Sequence, residues 1–584
     1  AEQQQLLWTG NEFFEGLDAF FQDLEKHTYK IQYRVLLSRY RGKTVCPDCQ
    51  GTRIRQDATY VKVGGKSIIE LLLMPITQLK QFFETLQLAD YEQKIVARVL
   101  IEIQCRLSYL EQVGLGYLTL NRQAATLSGG EYQRIKLATS LGSTLVGTMY
   151  ILDEPTIGLH PRDTRRLTNI LVSLKKLGNT VIVVEHEEEV MRAADQLIDI
   201  GPDAGSKGGE LVFQGNWEAL QKFNNSHTAR YLNGLASIPV PTQRRAWRDA
   251  VCFKGAYENN LKHIDVTFPL DALTVVTGVS GSGKSTLVNR IIYPALCHLL
   301  GLSAEKSGHF SHIDGDFKKI AYIDYINQNP IGKSSRSNPI TYVKAYDLIR
   351  QLFADQPLAQ RRGYKPGQFS FNIEGGRCEE CQGEGETKVE MQFMADIFLT
   401  CENCHGKRFK AETLEVKYDG KSIADVLDMT VDESLAFFEE EPNVVSKLKP
   451  LQEVGLGYVR LGQSSNSLSG GEAQRVKLAS YLGRGHNHQH TLFIFDEPTT
   501  GLHVHDVRQL LQAINALVDA GNTVMVVEHN MEFIKCADWI IDLGPEGGEQ
   551  GGRVVFSGTP EDMVKQVPNS YTAQFLKDKL SPPA

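Results

Sequence analysis

Four blocks of this sequence occur twice in the same order, and this internal repeat constrains the fold more than any other feature. The first half contains EQVGLGYLTL, LSGGEYQRIKLA, ILDEPTIGLH and GNTVIVVEH, and the second half repeats them as LQEVGLGYVRL, LSGGEAQRVKLA, IFDEPTTGLH and GNTVMVVEH. The spacing is nearly constant, since Ser469 follows Ser128 by 341 residues and His529 follows His186 by 343. A chain of 584 residues is also too long for one hydrophobic core. The sequence therefore predicts two related units in tandem.

The two copies differ at their upstream ends. The second copy continues upstream into a glycine-rich motif, and the first copy has no counterpart of that motif in this sequence. Two prolines in ASIPVPTQRRAWR, at 236–248, interrupt any periodic pattern between the copies. We therefore expect a linker at 236–248 and an incomplete first copy.

Composition and charge exclude several classes of protein. Charged residues make up 23% of the chain and hydrophobic residues 42%, which excludes disordered, collagen-like and disulfide-stapled chains. The net charge of −8 argues against a uniformly basic nucleic-acid clamp but allows a local basic strip. No apolar run approaches the roughly 18 residues of a membrane span, and no charged-then-apolar leader begins the sequence. We expect a cytoplasmic protein with no membrane partner.

A phosphate-binding loop is predicted in TVVTGVSGSGKSTL. A β-prone stretch precedes the loop and a helix-like LVNRII follows it, which is the context that such a loop requires. Glycines let backbone N–H groups wrap phosphates, and the helix N-terminus adds positive potential. Lys284 is expected to bind the β and γ phosphates, and the Ser285 hydroxyl to bind Mg²⁺. The predicted nucleotide-binding residues of the loop are Gly278, Ser280, Gly281, Ser282, Gly283, Lys284, Ser285 and Thr286.

Two acidic residues follow LFIF, an apolar stretch typical of a buried parallel strand. The carboxyl end of such a strand would place Asp496 and Glu497 beside the phosphate site. We expect Asp496 to hold Mg²⁺ through water and Glu497 to polarise the attacking water. His529 ends the next predicted strand, TVMVVEH, and is expected to contact the γ-phosphate.

Six of the ten cysteines occur in CxxC pairs, which favours metal binding over disulfides in a protein that is expected to be cytoplasmic. Cys378, Cys381, Cys401 and Cys404 have a spacing suited to one tetrahedral Zn²⁺. A site of four thiolates has no open coordination position, so the metal is expected to be structural. It would tie the ends of TKVEMQFMADIFLT, which is predicted to form a strand pair.

The nucleotide motifs together resemble those of the ATP-binding-cassette ATPases, with Gln328 after the phosphate loop and LSGGE as the discriminating signature. The resemblance implies that the signature of one cassette closes over the nucleotide held by the other, head to tail. The loop of the second copy would thus be closed by Ser128, Gly129 and Gly130 of the first copy. The expected catalytic residues are Glu497, Lys284, His529 and Gln328.

A cassette with a zinc module before its signature closely resembles the UvrA family, the damage-sensing ATPases of bacterial nucleotide excision repair. The resemblance rests on YINQNPIGKSSRSNPITY, GYKPGQFSFNIEGGRCEECQGEG, LGQSSNSLSGGEAQRVKLA, FDEPTTGLH and ADWIIDLGPEGGEQGG, and it extends from Phe13 onward. It implies ATP, Mg²⁺ and Zn²⁺ as cofactors, with double-stranded DNA and UvrB as partners. It also implies a homodimer that recognises lesions, hands the duplex to UvrB and has no nuclease activity of its own.

Two other functions remain open at this point. One is a UvrA-like DNA-binding ATPase of the resistance type, in which ATP acts as a structural clamp and no excision partner is engaged. The expected absence of the family's N-terminal region, which holds the first phosphate loop and the UvrB contacts, keeps this alternative open. The other is a transporter cassette, which needs a membrane partner and has no use for the zinc module.

The resemblance also divides the chain. We expect an α/β fold of two tandem cassettes, the first incomplete, with helical signature regions and inserted zinc modules. The predicted domains are a remnant of an inserted domain at 1–45, the C-terminal part of the first cassette at 46–235, the linker at 236–248, the second nucleotide-binding core at 249–345 and 485–584, and the second signature region with its zinc module at 346–484. Cys46 and Cys49 lack a second pair nearby, so their zinc site is expected to be missing or incomplete.

Basic residues cluster near the predicted zinc module. A protein of net charge −8 must concentrate its positive residues in order to bind DNA phosphates. The basic residues of this region are Lys333, Arg336, Arg361, Arg362, Lys365, Arg377, Lys407, Arg408 and Lys410. Of these we select Arg336, Arg377, Lys407 and Arg408 as candidate DNA contacts. We expect lesions to be sensed through DNA shape and deformability, because chemically unrelated adducts share no base edge.

Overall fold

The computed structural model describes residues 2–28, 30–40, 45–127, 129–141, 147–332, 336–389, 391, 397–483 and 490–580. The chain divides into two compact units. The first comprises Ala1–Val96 with Thr119–Asn121, and the second comprises Ala97–Leu118 with Arg122–Ala584. None of the helices in the described ranges is both long and apolar enough to cross a lipid bilayer.

The first unit is mostly helical. Its elements are α1 (Glu2–Thr9), α2 (Gly16–Lys26), α3 (Ile31–Tyr40), β1 (Lys62–Val63), β2 (Lys66–Ser67), α4 (Ile68–Leu73), α5 (Ile76–Thr85) and the start of α6 (Asp90–Gln112). The strands β1 and β2 form a short antiparallel hairpin. Ser67 begins α4 with a capping box, in which its hydroxyl accepts from the N–H of Glu70 while the Glu70 carboxylate accepts from the N–H of Ser67.

The first copy of the repeat contributes two separate strand pairs to the second unit. Its elements after α6 are α7 (Gly129–Leu141), β3 (Met149–Asp153), α8 (Pro161–Lys176), β4 (Thr180–Val184), α9 (Glu188–Ala193), β5 (Leu197–Gly201), β6 (Glu210–Gly215), α10 (Trp217–Leu220) and α11 (His227–Leu232). β3 and β4 are parallel, whereas β5 and β6 are antiparallel. His160 caps α8 by accepting from the N–H of Arg162, and Pro161 occupies the first helical position.

The predicted linker is held against the second copy. Arg244 donates to the Glu561 carboxylate and to the carbonyl of Lys535, and Arg245 donates to Asp538. Ile238 is buried in the larger hydrophobic core. Residues 236–248 therefore pack along the second copy, with two arginines in ion pairs.

The second copy begins with its nucleotide-binding strands. Its first elements are β7 (Ala250–Ala256), β8 (Ile264–Pro269), β9 (Leu273–Gly278), a π-helical segment (Thr286–Ile292), α12 (Tyr293–Leu299), β10 (His312–Gly315) and β11 (Tyr322–Ile326). An antiparallel sheet has the order β10-β7-β8. The whole of β9 is buried, which fits its run of β-branched residues.

Helices follow, together with a hairpin that we call the cysteine hairpin, because its two strands lie between the pairs Cys378/Cys381 and Cys401/Cys404. These elements are α13 (Pro339–Tyr342), α14 (Ala345–Ala354), α15 (Pro357–Arg361), β12 (Glu386–Val389), β13 (Ile397–Thr400), α16 (Ala411–Leu414), β14 (Lys417–Tyr418), β15 (Lys421–Ser422), α17 (Ile423–Asp428), α18 (Val431–Phe437), α19 (Pro442–Glu453) and α20 (Gly470–Leu482). The predicted strand pair is confirmed, because β12 and β13 form an antiparallel hairpin.

The chain ends with the remaining strands of the central sheet and the helices that cover it. These are β16 (Thr491–Asp496), α21 (Val504–Asp519), β17 (Thr523–Val527), α22 (Met531–Ile534), β18 (Trp539–Gly544), β19 (Arg553–Gly558), α23 (Pro560–Gln566) and α24 (Tyr571–Leu580). Short 3-10 turns lie at Gln56–Tyr60, Ala124–Thr126, Gly205–Lys207, Phe317–Lys319, Pro366–Phe369, Ser465–Ser467 and Gly548–Gln550.

The central sheet has six strands in the order β11-β16-β17-β9-β18-β19. All neighbours are parallel except β18 and β19. Alternate residues of β17 face two different cores: Val524 and Val526 pack with helices α14, α19 and α21, while Met525 and Val527 pack with β7, β8 and α12. The sheet is therefore covered on both faces, which confirms the α/β fold class.

Candidate functional site

The glycine-rich loop leaves the carboxyl end of β9 at a point where a side chain has no room. Gly278 has φ of 132°, and a Cβ on it would lie 2.0 Å from the carbonyl oxygen of Leu543 on the neighbouring strand. Gly283, at φ of 110°, lies against Leu261 and Asn260. Asn260 donates its side-chain amide to the carbonyl of Gly281 and so ties the loop to the β7–β8 connection. Glycine is required at these positions by close backbone approach and by positive φ.

The polar groups of the loop fit a phosphate ligand. The hydroxyls of Ser280 and Ser282 are buried without a hydrogen-bond partner. Lys284 is buried, and among the residues that the structure describes its ammonium donates to the loop carbonyls of Gly278 and Val279, each at 2.9 Å. Burial lowers the pKa of Lys284 to about 8 despite the nearby carboxylates. A bound polyphosphate would satisfy these donors and stabilise the charged ammonium, so the residues present fit ATP.

The last two predicted loop residues lie at its rim. Ser285 is exposed, and Thr286 accepts a side-chain hydrogen bond from Asn259 at 3.4 Å. An exposed hydroxyl next to Lys284 is available to a ligand of the loop. The helix that follows begins in π geometry at Thr286, a type of turn that is frequent at functional sites.

Asp496 and Glu497 lie at the carboxyl end of β16, as the buried strand predicts. Asp496 accepts from the Tyr325 hydroxyl at 2.7 Å and from Asn289 at 3.5 Å. Glu497 has φ of 47°, in the left-handed region, and its N–H donates to the carbonyl of Val527. Burial, together with the neighbouring charge of Asp496, raises the pKa of Glu497 to about 7.

His529 and Gln328 flank Glu497. The Nε2 of His529 lies 3.8 Å from the Glu497 carboxylate, and its Nδ1 is buried without a hydrogen-bond partner. Burial holds the pKa of His529 well below its usual range, so the imidazole is neutral. Gln328 donates its side-chain amide to the carbonyl of Glu497 at 3.1 Å and to the Thr500 hydroxyl at 3.0 Å. Both residues therefore lie close enough to order the Glu497 segment.

Residues of the first copy reach this site. Asp163 accepts from the N–H of Ser280 at 3.4 Å. A Cβ built on Gly281 would lie 2.8 Å from the ring of Tyr117, so this ring packs directly on the loop. Burial favours the neutral acid at Asp163, but neighbouring cations, of which Arg162 is the strongest, hold its pKa below the usual range. Asp163 and Tyr117 were not predicted from the sequence. The signal was present, because both lie in or beside repeated blocks, GLGY and GLH.

The signature of the first copy lies only partly in the described chain. Ser128 is outside the described residues, and Gly129 is the first residue of α7. Gly130 is buried, and a Cβ on it would lie 2.5 Å from the carbonyl of Ile157. The next residue, Glu131, accepts from the Tyr117 hydroxyl at 2.6 Å. Tyr117 thus links the signature helix to the phosphate loop.

The equivalent residues of the first copy form a related arrangement. Glu154 has φ of 44°, and His186 lies 3.7 Å from its carboxylate. Burial raises the pKa of Glu154 above its usual range. In the described residues, no phosphate loop lies beside Glu154 and His186. A cavity of about 880 Å³ between the copies is lined by both glutamates and both histidines, Glu154, His186, Glu497 and His529.

The four predicted zinc ligands converge. Their sulfur atoms all lie within 4.8 Å of one another and are buried, with 3.9 Å between Cys378 and Cys401 and 3.6 Å between Cys381 and Cys404. A tetrahedral site with Zn–S of about 2.3 Å puts sulfurs roughly 3.8 Å apart, so the thiols fit Zn²⁺ and are too far apart for disulfides. Within the described ranges this is the only such convergence of His, Cys, Asp or Glu side chains.

Cys46 and Cys49 lie in the other unit, with Cys46 exposed and Cys49 half-buried. The turn after them resembles the turn after Cys401 and Cys404, because Gln50 and His405 both have φ near 47° (46° and 48°). That the zinc site of this pair is missing or incomplete remains a prediction.

The candidate DNA contacts differ in their surroundings. Arg336 lies 3.5 Å from Glu384, and Arg377 lies 3.5 Å from Glu374. The Arg408 guanidinium lies 5.8 Å from the Phe371 ring centre. Lys407 is exposed, and Lys333 lies outside the described residues. Their contact with DNA remains a prediction.

Comparison with known proteins places this geometry in a family. No protein-family model matches the chain. The chain is 50% identical over 575 residues to "UvrABC system protein A" of Clostridium perfringens, covering 98% of this chain and 60% of that protein. It is 51% identical over 572 residues to the same protein of Aquifex aeolicus, covering 97% of this chain and 61% of that protein.

A solved structure agrees. The crystal structure of UvrA2 from Deinococcus radiodurans matches with a TM-score of 0.85 and 45% identity, covering 92% of this chain and 66% of that one. The chain spans about 60% of the length of the curated relatives it matches. Since about half of all residues are identical over nearly the entire chain and the folds superpose, the chain belongs to the UvrA family.

Proposed function

We propose that this chain is an ATP-hydrolysing DNA-damage sensor of nucleotide excision repair. The observation that carries the proposal is the convergence at one phosphate loop of Lys284, Glu497 and His529 from the second copy with Asp163 and Tyr117 from the first. A nucleotide site that needs both copies can couple hydrolysis to their relative position. That coupling is what a DNA-handling ATPase requires.

The chemistry assigned to the site is hydrolysis of the γ-phosphate of ATP. Glu497 takes a proton from water as the water oxygen bonds to the γ-phosphorus and the bond to the bridging oxygen breaks. A pKa of about 7 leaves Glu497 basic enough to accept that proton near neutral pH. Neutral His529 and the amide of Gln328 orient the reacting groups. Asp496 and Ser285 would hold Mg²⁺, which would supply positive charge to the phosphate oxygens.

We further propose that the signature of the first copy, Ser128, Gly129 and Gly130, closes this site over ATP. Support comes from α7, which begins at Gly129. Its residue Glu131 accepts a hydrogen bond from the hydroxyl of Tyr117, and the Tyr117 ring packs on Gly281 of the phosphate loop. A helix N-terminus binds phosphate oxygens well, because its N–H groups are unsatisfied and its dipole favours anions.

DNA recognition and the partner are proposed on the family membership. The relatives are components A of UvrABC systems, which supports lesion-bearing duplex DNA as the ligand, UvrB as the recipient and a homodimer as the working form. Zn²⁺ at Cys378, Cys381, Cys401 and Cys404 would hold the cysteine hairpin, and basic residues near these cysteines suit a DNA backbone. Arg336, Arg377, Lys407 and Arg408 are the proposed contacts.

The ATPase proposal is tested by measuring phosphate release from the chain and two variants. Lys284→Ala should reduce the rate at least ~100-fold, because it removes the charge that binds the phosphates. Glu497→Gln should reduce kcat by a similar factor while ATP still binds. Hydrolysis by Lys284→Ala at the unmodified rate would contradict the assignment of the site.

Damage recognition is tested by fluorescence anisotropy of a lesion-bearing duplex and its undamaged twin, each with and without ATP and Mg²⁺. An ATP-dependent preference for the lesion is expected. Equal binding to both duplexes would leave a DNA-binding ATPase without damage recognition, and no binding would contradict the DNA proposal.

A further inference from the structure

Each of the two glutamates that directly follow β3 and β16 lies against a glycine of the other copy. A Cβ built on Gly158 would lie 3.0 Å from Oε2 and 3.3 Å from Oε1 of Glu497. A Cβ built on Gly501 would lie 3.1 Å from both carboxylate oxygens of Glu154. The two contacts are reciprocal. In each of them the glutamate carboxylate of one copy lies against the glycine backbone of the other copy.

Glycine is the residue best suited to this approach. Gly158 and Gly501 have φ of 66° and 67°, in the left-handed region, and lie at equivalent positions of the repeat. A Cβ at 3.0 Å would be tighter than nine in ten Cβ contacts, so a side chain at position 158 would push the Glu497 carboxylate away by a few tenths of an ångström. His529 lies 3.8 Å from the other carboxylate oxygen, Oε1. The carboxylate is therefore confined between His529 and Gly158.

The turn that contains Gly158 is itself fixed. Thr156 donates its N–H and its hydroxyl to the Glu185 carboxylate at the end of β4, at 2.9 and 2.5 Å. The N–H of Leu159 donates to the carbonyl of Thr156. The carbonyl of Ile157 packs on signature residue Gly130, where a Cβ would lie 2.5 Å away. A continuous line of contacts thus joins the signature of the first copy to Glu497 of the second.

We propose that Gly158 is a positioning residue for ATP hydrolysis at the second copy's site, because its bare Cα is the surface against which the Glu497 carboxylate is held. The inference rests on the proposed ATPase function and deepens it. Movement of the first copy's signature would move the Ile157–Gly158 turn and, with it, the group that accepts the proton from water. Hydrolysis is thereby made conditional on the arrangement of the other copy.

The test compares Gly158→Ala with the matched control Gly501→Ala in the full chain. The two glycines have the same backbone conformation and the same Cβ clearance, so both substitutions introduce the same strain. Gly158→Ala should lower kcat roughly 10- to 100-fold with KM for ATP within about twofold, because it misplaces the base without touching the phosphate loop. Gly501→Ala should leave kcat within about twofold.

Two readouts separate positioning from general damage. The first is the KM for ATP, which should stay within about twofold while kcat falls, because a generally damaged site would also bind ATP more weakly. Glu497→Asp shortens the side chain, so combining it with Gly158→Ala should lower kcat by less than the product of the two single effects. Thermal unfolding of both glycine variants is measured in parallel.

Equal losses of kcat in the two glycine variants, or an unchanged kcat in Gly158→Ala, would overturn the proposal. If Gly158→Ala does not fold, Gly158→Asn replaces it, since asparagine tolerates the left-handed backbone. Failure of the ATPase proposal itself is distinguishable, because the unmodified chain would then release no phosphate, or Lys284→Ala would release as much.

Discussion

Glu497 combines two features that residues outside functional sites rarely share. Its backbone lies in the left-handed region at φ of 47°, and burial raises its pKa to about 7. Such a conformation persists in a non-glycine residue only where the surroundings determine it, and here the N–H of Glu497 donates to Val527 while Gln328 donates to its carbonyl. The backbone aims the side chain at the phosphate loop.

The pH dependence of hydrolysis follows from two side chains. We expect kcat/KM to fall on the acid side with a midpoint near pH 7, because Glu497 must be ionised to accept a proton. It should also fall on the alkaline side near pH 8, because the uncharged Lys284 amine binds a triphosphate weakly.

Steady-state kinetics from about pH 5.5 to 9.5 would check both limbs. In kcat the alkaline limb should disappear, since bound triphosphate stabilises the ammonium of Lys284. A Glu497→Gln variant is the control, because its residual rate should lack the acid limb. A flat kcat/KM profile in the unmodified chain would contradict the assigned roles.

At the scale of single elements, the cysteine hairpin depends on a ligand more than on packing. Every residue of β12 and β13 is exposed, and Val389, Ile397, Phe398 and Leu399 are among the exposed large hydrophobic residues. A two-stranded hairpin is marginally stable alone. The stability of the hairpin therefore depends on the four converging thiols. This dependence explains why the spacing of the cysteines in the sequence predicted where they converge.

We expect one Zn²⁺ to be bound by these four thiols and to be lost in Cys401→Ser. Zinc content by atomic absorption should fall in that variant, and proteolysis between residues 378 and 404 should accelerate at least ~10-fold, because the open form becomes populated. Cys105→Ser, which changes an exposed and isolated thiol on α6, is the matched control. Zinc content that is the same in Cys401→Ser and Cys105→Ser would contradict the site.

At the scale of the whole molecule, equivalent strands of the two copies have opposite environments. In the first copy, Ile151 is 69% exposed, and Ile182 and Ile198 are exposed as well. Ile494, the repeat counterpart of Ile151, is fully buried against β7, β8 and α12. The first copy pairs β3 with β4 and β5 with β6, and within the described chain no strand lies between β4 and β5 as β9 lies between β17 and β18.

This contrast predicts opposite effects of one substitution. Ile494→Asp should prevent folding or cost more than about 4 kcal/mol, because it buries a charge in an apolar core. Ile151→Asp should change the free energy of unfolding by less than about 0.5 kcal/mol and reduce the binding of a hydrophobic dye. Urea unfolding and dye fluorescence check both. Equal destabilisation by the two changes would contradict the exposed environment of Ile151.

The sequence by itself determined the tandem repeat, the phosphate loop, the buried strand before Asp496 and Glu497, and the four cysteine ligands. These features are local, because chain stereochemistry and ligand chemistry impose fixed spacings on glycines, lysine, carboxylates and thiols. Only the tertiary structure decided that Asp163 and Tyr117 meet the phosphate loop and that Gly158 confines Glu497. The partners in those contacts are more than one hundred residues apart, and the packing of the two copies rather than any sequence spacing brings them together.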